Sequence, residues 1–360
     1  MKTNRKKKSS FLYKIVLFLI LVLAGTLGAA YWHYNESLKS VQPNSEPVAF
    51  TVESGASLRE VCTDLEEQGI IRNSKMAFYY ARFHHLNNIK AGDFTLDKGW
   101  DVNKIFTYLN DELAANQDTV NVTITEGDWA KDAAKKIAAE TTVKEEDLLA
   151  LWNDEKYIRS MMESYPFLTE EMFNENIRIY MEGYLAPDTY QFFRETSAEE
   201  VTKRILDQSL IVYNQYADEI AESDLSIHQF YTLASIVQHE AGRSSMEDME
   251  HVASVFYNRM KIDMALQSSS TVCYAIDFDK ETDHWMACET NPDFDSPYNT
   301  YKYPGLTPGP IMNVGKPAIE ATLHPTDDED LYFVADVSTG EIHFAKTLEE
   351  HNANVAKYMQ

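Results

Sequence analysis

Apolar residues recur every three or four positions over long stretches of the chain, and this spacing predicts amphipathic helices. Residues 145–225 follow the pattern, and Val252 and Val255 continue it on one face of a further helix. After these helices the pattern changes to loops and short alternating runs. The clearest run, at 331–347, predicts a β-hairpin around a glycine. Helices thus precede strands, and the predicted fold class is α+β.

A weak internal repeat precedes these helices. A β-type segment, a glycine turn and an amphipathic helix start at Phe50, and the same order starts again at Val122. One strand and one helix cannot bury a core alone, so each copy should contact further elements. Residues 89–99 are predicted as a hairpin beside the first copy. The region 49–143 resembles a LysM-like module, a small glycan-binding unit of cell-wall proteins; a small α+β spacer without a ligand is the alternative.

The N-terminus has a separate character. Five basic residues and no acidic residue occupy the first eight positions, and no charged residue occurs from Ile15 to Trp32. At about 1.5 Å per residue this run is about 27 Å long as a helix, close to the thickness of a bilayer core. Residues 1–35 are therefore predicted to form a cytoplasmic tail and a single transmembrane anchor in contact with membrane lipid, followed by a linker at 36–48. The predicted localisation is single-pass in the cell membrane with the remainder extracytoplasmic; a cleaved signal peptide is the alternative.

Composition limits the function classes. The chain has 360 residues and a formal net charge of −25, and so acidic a chain is not expected to bind nucleic acid. Its three cysteines, Cys62, Cys273 and Cys288, are too few for a disulfide scaffold and form no CxxC pair. Cys273 and Cys288 are near enough in sequence to bridge, but free thiols are equally compatible with the sequence.

One helical stretch includes a candidate catalytic group. Leu233 and Ile236 belong to an apolar stripe, and Glu240 stands on the next position of that stripe. A carboxylate there could pair with Arg243 or Arg259 and have only a structural role. Alternatively, desolvation raises the pKa of Glu240, which then stays protonated near neutral pH and can donate a proton to a glycosidic oxygen.

The sequence gives little support for a metal site, a serine nucleophile or a nucleotide-binding site. The segment "HEAGR" begins like a zinc-protease motif, but Arg243 stands where the second histidine would be. No nucleophile elbow, Walker loop or dinucleotide fingerprint is present, and Ser268–Ser270 is interpreted as a polar loop. We therefore predict no metal and no cofactor. The tyrosines of segment 296–311 stand among prolines, amides and hydroxyls, which suits stacking on sugar rings as well as an ordered connecting loop.

Several motifs follow one another along the chain: "MEGYLAPDTYQF", "LASIVQHEAG", "VASVFYNRM", "MALQSSSTVCYAI", "SPYNTYKYPGLTPGPI" and "LYFVADVSTGEIHF". In this order they resemble the endolytic murein transglycosylase family (YceG-like) of bacteria. The resemblance implies a membrane anchor, a LysM-like subdomain and an α+β catalytic domain, here 144–360. It also implies cleavage inside nascent peptidoglycan strands, between N-acetylmuramic acid and N-acetylglucosamine, with a 1,6-anhydro end as product and termination of strand elongation. Glu240 matches the family's catalytic glutamate.

The predicted substrate contacts lie in or next to these motifs. They are Gln267, Ser269, Tyr298, Asn299, Thr300, Tyr301, Glu182, Asp188 and Asn258. Ser269 stands where the family usually has aspartate, and Ser270 where it usually has proline, which leaves the local substrate contacts open. The expected partners are nascent glycan strands, together with peptidoglycan synthases and division or elongation proteins.

Two other functions are compatible with the same residues. A lytic transglycosylase needs one carboxyl group, whereas a glycoside hydrolase normally needs a second one about 5–9.5 Å away. Glu182 or Asp188 would supply it in a muramidase. The other alternative is a catalytically silent scaffold that binds peptidoglycan, an interpretation that the departure at Ser269 favours.

Overall fold

The computed structural model describes residues 5–42, 47–111, 114, 119–242, 244–279, 286–289 and 293–359. The chain divides into two compact units, Met1–Thr119 and Val120–Gln360. The described residues form helices and three two-stranded sheets, in agreement with the predicted α+β class.

The first unit combines helices with one sheet. Its described helices are α1 (Arg5–Leu38), α2 (Leu58–Glu67), α3 (Ser74–Phe83) and α4 (Val102–Leu109), and its strands are β1 (Pro47–Val52) and β2 (Gly92–Asp97). The two strands are antiparallel, with Phe50 opposite Phe94, and both rings are buried in the core of this unit. The predicted hairpin at 89–99 is wrong, because this segment forms a single strand whose apolar residues Phe94 and Leu96 pair with the earlier strand β1.

Local sequence explains how α2 begins. Ser57 and Glu60 form a capping box, in which the Ser57 side chain accepts from the Glu60 backbone N–H and the Glu60 carboxylate accepts from the Ser57 backbone N–H. These bonds satisfy donors that the first helical turn leaves open. Val61 and Leu65 on one face of this helix are buried.

Helix α1 bears on the predicted membrane anchor. A single span needs about 20 consecutive apolar residues. Among the residues that the structure describes, no helix is both long and apolar enough to cross a bilayer. The side chains of residues 1–16, 20, 23, 24 and 27 lie outside the described residues, and those described in α1 do not supply such a run. This finding contradicts the predicted single-pass localisation in the cell membrane.

The second unit is built mainly of helices. They are α5 (Ala130–Glu140), α6 (Glu145–Trp152), α7 (Glu155–Met161), α8 (Ala198–Glu222), α9 (Ile227–Ala241), α10 (Met246–Lys261), α11 (Ser269–Ala275), α12 (Met286–Glu289), α13 (Lys316–Leu323) and α14 (Leu348–Tyr358). The strands are β3 (Thr119–Ile124), β4 (Asp188–Phe193), β5 (Tyr332–Ala335) and β6 (Ile342–Ala345). The predicted hairpin at 331–347 is confirmed by the antiparallel pairing of β5 with β6, in which Phe333 lies opposite Phe344.

The second copy of the repeat belongs to this unit. Its strand β3 pairs with β4, and its helix α5 contributes Ala133 and Ile137 to the core that also contains Trp152. The boundary between the units therefore lies earlier in the chain than the predicted one after residue 143. The physical reason is that this strand and this helix find their packing partners in the residues that follow them.

Helix α9 contacts α8, α10, α11 and α13, and most of its residues are buried. Its start is encoded locally, since Ser226 and Gln229 form a capping box with bonds of 3.0 and 3.2 Å. Because other elements surround this helix, its polar side chains must find hydrogen-bond partners or border a cavity.

Candidate active site

Glu240 lies in the last turn of α9 at the edge of a cavity. Its side chain is 19% exposed, and the cavity has a volume of about 1090 Å³. Gly242 also lines this edge, where a Cβ would overlap Gln238. The other walls come from the turn after β3, the start of β4 and the start of α11; they include Glu126, Asp128, Trp129, Asp188 and Ser269.

A chain of hydroxyl groups lies beside Glu240. Ser268 Oγ donates to Glu240 Oε1 at 2.5 Å and lies 2.5 Å from Ser270 Oγ. The Ser268 backbone N–H donates to Thr300 Oγ1 at 3.1 Å, and Thr300 Oγ1 lies 2.8 Å from Thr271 Oγ1. All four hydroxyl-bearing residues are buried. The network holds one carboxylate oxygen of Glu240, and its member Ser270 also lines the cavity.

The segment that carries Ser268 is fixed on both sides. Gln267 has a φ of 50°, and its N–H donates to the backbone oxygen of Thr300 at 3.1 Å. Arg259, on α10, donates to the backbone oxygen of Leu266 and through Nε to that of Leu331 at 2.7 Å. A non-glycine residue with positive φ persists where its surroundings hold it. In this structure Gln267 braces the network and is absent from the lining of the cavity.

Two opposing influences set the ionisation of Glu240. Burial favours the neutral acid, but His239, the hydrogen bond from Ser268 and the positive charge of Arg259 favour the carboxylate. His239 Nδ1 lies 3.7 Å from Glu240 Oε1. The second set prevails, and the pKa of Glu240 is lowered from its usual value. The prediction that desolvation raises this pKa is therefore wrong for the protein without substrate. Arg243, the other predicted partner, lies outside the described residues.

Glu182 is a second buried carboxylate, and it does not line the cavity. It is 1% exposed. One oxygen accepts from the backbone N–H of Ala130 at 2.8 Å and the other from Tyr274 Oη at 3.2 Å. Burial raises the pKa of Glu182 to about 8, although these hydrogen bonds and the charge of Arg178 act in the opposite direction. With both oxygens engaged, Glu182 links the start of α5 to α11.

We expect Glu182→Gln to change how stability depends on pH. Because the folded-state pKa is raised, the contribution of Glu182 is fully present below its ordinary pKa of 4.5 and is lost as pH rises to about 8. The glutamine variant lacks this titration. The unfolding temperature of the variant, relative to that of the wild type, should therefore rise as pH increases from 4.5 to about 8. Thermal unfolding at intervals between about pH 4 and 9 measures the difference. A difference that stays constant with pH would contradict the expectation.

Of the predicted substrate contacts, Asp188 and Ser269 line the same cavity as Glu240. Asp188 is exposed at the first position of β4, and Ser269 is the first residue of α11. The structure thus brings together three predicted residues that are far apart in sequence.

The tyrosine-rich segment lies behind the cavity wall. Tyr298 is buried, with its ring centroid 4.9 Å from that of Tyr274. Asn299 is also buried, and its Oδ1 accepts from the backbone N–H of Tyr301 at 3.0 Å. Thr300 belongs to the hydroxyl network. In the protein without substrate these predicted contacts support the wall and do not line the cavity.

Among the described residues, one cluster of side chains could in principle bind a metal ion, and none of its members lines the cavity. His251 Nε2 lies 2.8 Å from Asp330 Oδ2 and 3.2 Å from Asp328 Oδ2, and the three ligand atoms lie within 4.8 Å of one another. Asn258, another predicted substrate contact, donates to the backbone oxygens of Asp328 and Asp330. The side chains of the group already pair with one another, and the absence of a metal stays a prediction.

Cys273 and Cys288 form a disulfide bridge, which decides between the alternatives that the sequence leaves open. Both cysteines line the cavity, so the bridge joins α11 to α12 at its wall. Cys62, in the first unit, is a free and buried thiol. Burial raises the pKa of Cys62 to about 12.

Sequence reasoning missed two groups at the site. Ser268 contacts Glu240 across 28 positions of sequence, and no local pattern signals such a contact. Trp129 lines the cavity; its place directly after the glycine turn of the second repeat copy is the signal that could have identified it.

Comparisons with known proteins agree over most of the chain. A family model described as the YceG-like family matches residues 50–357. An endolytic murein transglycosylase from Bacillus subtilis (strain 168) is 36% identical over 336 residues, which cover 92% of this chain and 91% of that protein. One from Streptococcus pneumoniae serotype 2 (strain D39) is 31% identical over 364 residues, which cover 97% of this chain and 65% of that protein. The crystal structure of a putative YceG-like protein from Listeria monocytogenes is 34% identical with a TM-score of 0.60, and the match covers 86% of this chain and 99% of that one.

Proposed function

The chain belongs to the YceG-like family, and from this premise we propose that it is a lytic transglycosylase that cuts peptidoglycan strands internally. The scissile bond lies between N-acetylmuramic acid and N-acetylglucosamine. The observation that carries the proposal is the position of Glu240, a carboxyl at the end of a buried helix that borders a large cavity and accepts a short hydrogen bond. The relatives named as endolytic murein transglycosylases support it.

One carboxyl group is enough for this reaction. Glu240 as a neutral acid gives its proton to the glycosidic oxygen as the bond to C1 breaks, so the N-acetylglucosamine side leaves as an alcohol. The carboxylate then takes the proton of the muramic C6 hydroxyl, whose oxygen bonds to C1 and closes the 1,6-anhydro ring. The acid is restored, and no water is consumed.

Because the pKa of Glu240 is lowered, Glu240 must become protonated when substrate binds if it is to act as a general acid. A glycan in the cavity displaces water from around the carboxyl and adds no positive charge beside it. Desolvation, already the largest single influence on this group, would then increase and favour the protonated form. We therefore propose that glycan binding raises the pKa of Glu240 and that the free enzyme holds it as a carboxylate.

We propose that Asp188 and Ser269 contact the glycan directly, since both line the cavity. Trp129 offers an aromatic ring at the same wall. Most of the other predicted contacts would act by holding the walls in place: Gln267, Tyr298, Asn299, Thr300, Tyr301 and Glu182. Asn258 instead holds the segment of Asp328 and Asp330, which does not line the cavity.

A wider role follows from the proposed reaction. Internal cleavage of a nascent strand ends its elongation, so the protein would act beside peptidoglycan synthases and division or elongation proteins. We also propose that the first unit is LysM-like and binds glycan. Two aromatic side chains one turn apart on α3 support this, since Tyr79 and Phe83 are 52% and 77% exposed and aromatic faces can stack on sugar rings.

The chemical form of the cut end tests the proposal. Purified protein incubated with isolated glycan strands should release fragments that end in 1,6-anhydro-muramic acid, which mass spectrometry distinguishes from a hydrolysed end by the loss of one water. A reducing muramic end would instead favour a muramidase, and of the two carboxylates predicted for that role, Glu182 and Asp188, only Asp188 lines the cavity with Glu240. Binding of glycan without any cleavage would favour a silent scaffold.

A further inference from the structure

The described contacts of the Glu240 carboxyl fall on one of its two oxygens. Oε1 accepts from Ser268 Oγ at 2.5 Å, and His239 Nδ1 approaches the same oxygen at 3.7 Å. A general acid must present one defined oxygen, with its proton, to the bond that breaks. The asymmetry of these contacts therefore bears directly on the proposed reaction.

We propose that Ser268 is the positioning residue of the proposed transglycosylase, which fixes the Glu240 carboxyl and reserves Oε2 for the glycosidic oxygen. The inference rests on the proposed function. Because Oε1 is occupied as an acceptor, a neutral Glu240 carries its proton on Oε2. Ser268 thus selects the oxygen that donates.

The direction of the hydrogen bonds follows from proton counting. A serine hydroxyl has one proton to donate and can also accept. If Ser268 Oγ donates to Glu240, its short contact of 2.5 Å with Ser270 Oγ requires Ser270 to be the donor in that pair. The two hydrogen bonds therefore form a relay with one direction, in which Ser270 donates to Ser268 and Ser268 donates to Glu240.

The relay is built into the fold of the second unit. Ser268 is held at its backbone N–H by Thr300, and the preceding residue Gln267 is held by a second bond to Thr300. Ser268 and Ser270 are only 3% and 1% exposed, so bulk water has little access to their hydroxyl groups. A hydroxyl held in this way keeps its direction, as positioning requires.

The charges around Glu240 come from several elements. His239 lies beside it on α9, and Arg259 acts from α10. The cavity walls add carboxylates from the turn after β3 and from β4; these are Glu126, Asp128 and Asp188. Loss of the Ser268 hydroxyl removes one stabilisation of the Glu240 carboxylate and leaves all these charges in place. The pKa of Glu240 should then rise, in the direction that burial already favours.

Ser268→Ala provides the test, with release of 1,6-anhydro ends measured over a pH series. We expect kcat to fall about 10–100-fold, which corresponds to one hydrogen bond to a charged group, with little change in KM. The alkaline limb of the profile, where Glu240 loses its catalytic proton, should move to higher pH. Ser268→Thr retains a hydroxyl and should restore the position of that limb.

The chain offers a matched control for the loss of a buried hydroxyl. Ser235 lies on α9, donates to the backbone oxygen of Thr232 at 2.7 Å and accepts from the backbone N–H of Ile311 at 3.0 Å. Ser235→Ala should lower stability without moving the pH profile. Ser270→Ala should move the limb in the same direction as Ser268→Ala but less, and it serves as the test if Ser268→Ala does not fold.

The outcomes separate this inference from the proposed function. If the wild type releases anhydro ends and Glu240→Gln does not, but Ser268→Ala keeps the wild-type rate and alkaline limb, only the role of Ser268 is overturned. A wild type that releases no anhydro ends overturns the proposed function itself, together with the inference.

Discussion

Glu240→Gln should abolish the release of 1,6-anhydro ends while the protein stays folded. Glutamine is nearly isosteric and can still accept from Ser268, so the packing of the Leu233 and Ile236 face should persist. It can neither donate a proton to the leaving oxygen nor take one from the C6 hydroxyl. General acid–base catalysis is worth about 10²–10⁴-fold, and the loss should reach the upper end because one group serves both half-steps. Initial rates by mass spectrometry of released fragments measure it.

Two further variants make this result specific. Glu247→Gln removes the same charge from an exposed position on the first turn of α10 and should keep wild-type activity. Asp188→Asn should slow the reaction but preserve the anhydro product, whereas in a muramidase it would be as damaging as Glu240→Gln. Wild-type activity in Glu240→Gln would remove Glu240 from the proposed mechanism.

Gly183→Ala should destabilise the second unit strongly. Gly183 has a φ of 84°, and a Cβ at this position would overlap the ring of Pro310, with Cγ only 2.8 Å away. A left-handed conformation costs a residue with a Cβ about 1–2 kcal/mol, and overpacking adds about 1–3 kcal/mol, so we expect a loss of about 2–5 kcal/mol. Urea unfolding followed by tryptophan fluorescence measures this change.

Gly340→Ala separates the two contributions. Gly340 has a φ of 79°, but a Cβ there would meet no atom within 4 Å. This variant should therefore lose only the conformational part, about 1–2 kcal/mol. Equal losses in the two variants would show that the contact with Pro310 does not matter.

Local elements could be read from the sequence with some success. The amphipathic stripe of α9 and the hairpin of β5 and β6 follow from side-chain period and turn residues within one segment. The hairpin predicted at 89–99 failed for a reason outside that segment, because Phe94 and Leu96 pair with β1. A strand's partner is a long-range choice that its own pattern does not specify.

The residues of the candidate site also fall into two groups, those that the sequence identified and those whose position depends on long-range packing. The sequence marked Glu240 as a candidate, because an ionisable group on an apolar helical stripe conflicts with the local pattern, and the resemblance to the family's catalytic glutamate favoured a catalytic over a structural role. It also supplied Asp188 and Ser269, which the structure brings to the same cavity. The tyrosine-rich segment suited sugar stacking by composition, yet Tyr298 and Asn299 are buried behind the wall.

What the sequence determined by itself is the set of local elements and the chemical identity of the candidate acid. Both depend on the geometry of a single helix or strand. Only the tertiary structure decided that Cys273 bridges to Cys288, that Ser268 donates to Glu240, and that the pKa of Glu240 is lowered in the protein without substrate. The physical reason is that electrostatic and hydrogen-bond energies depend on distances between groups, and packing sets those distances for residues that are remote along the chain.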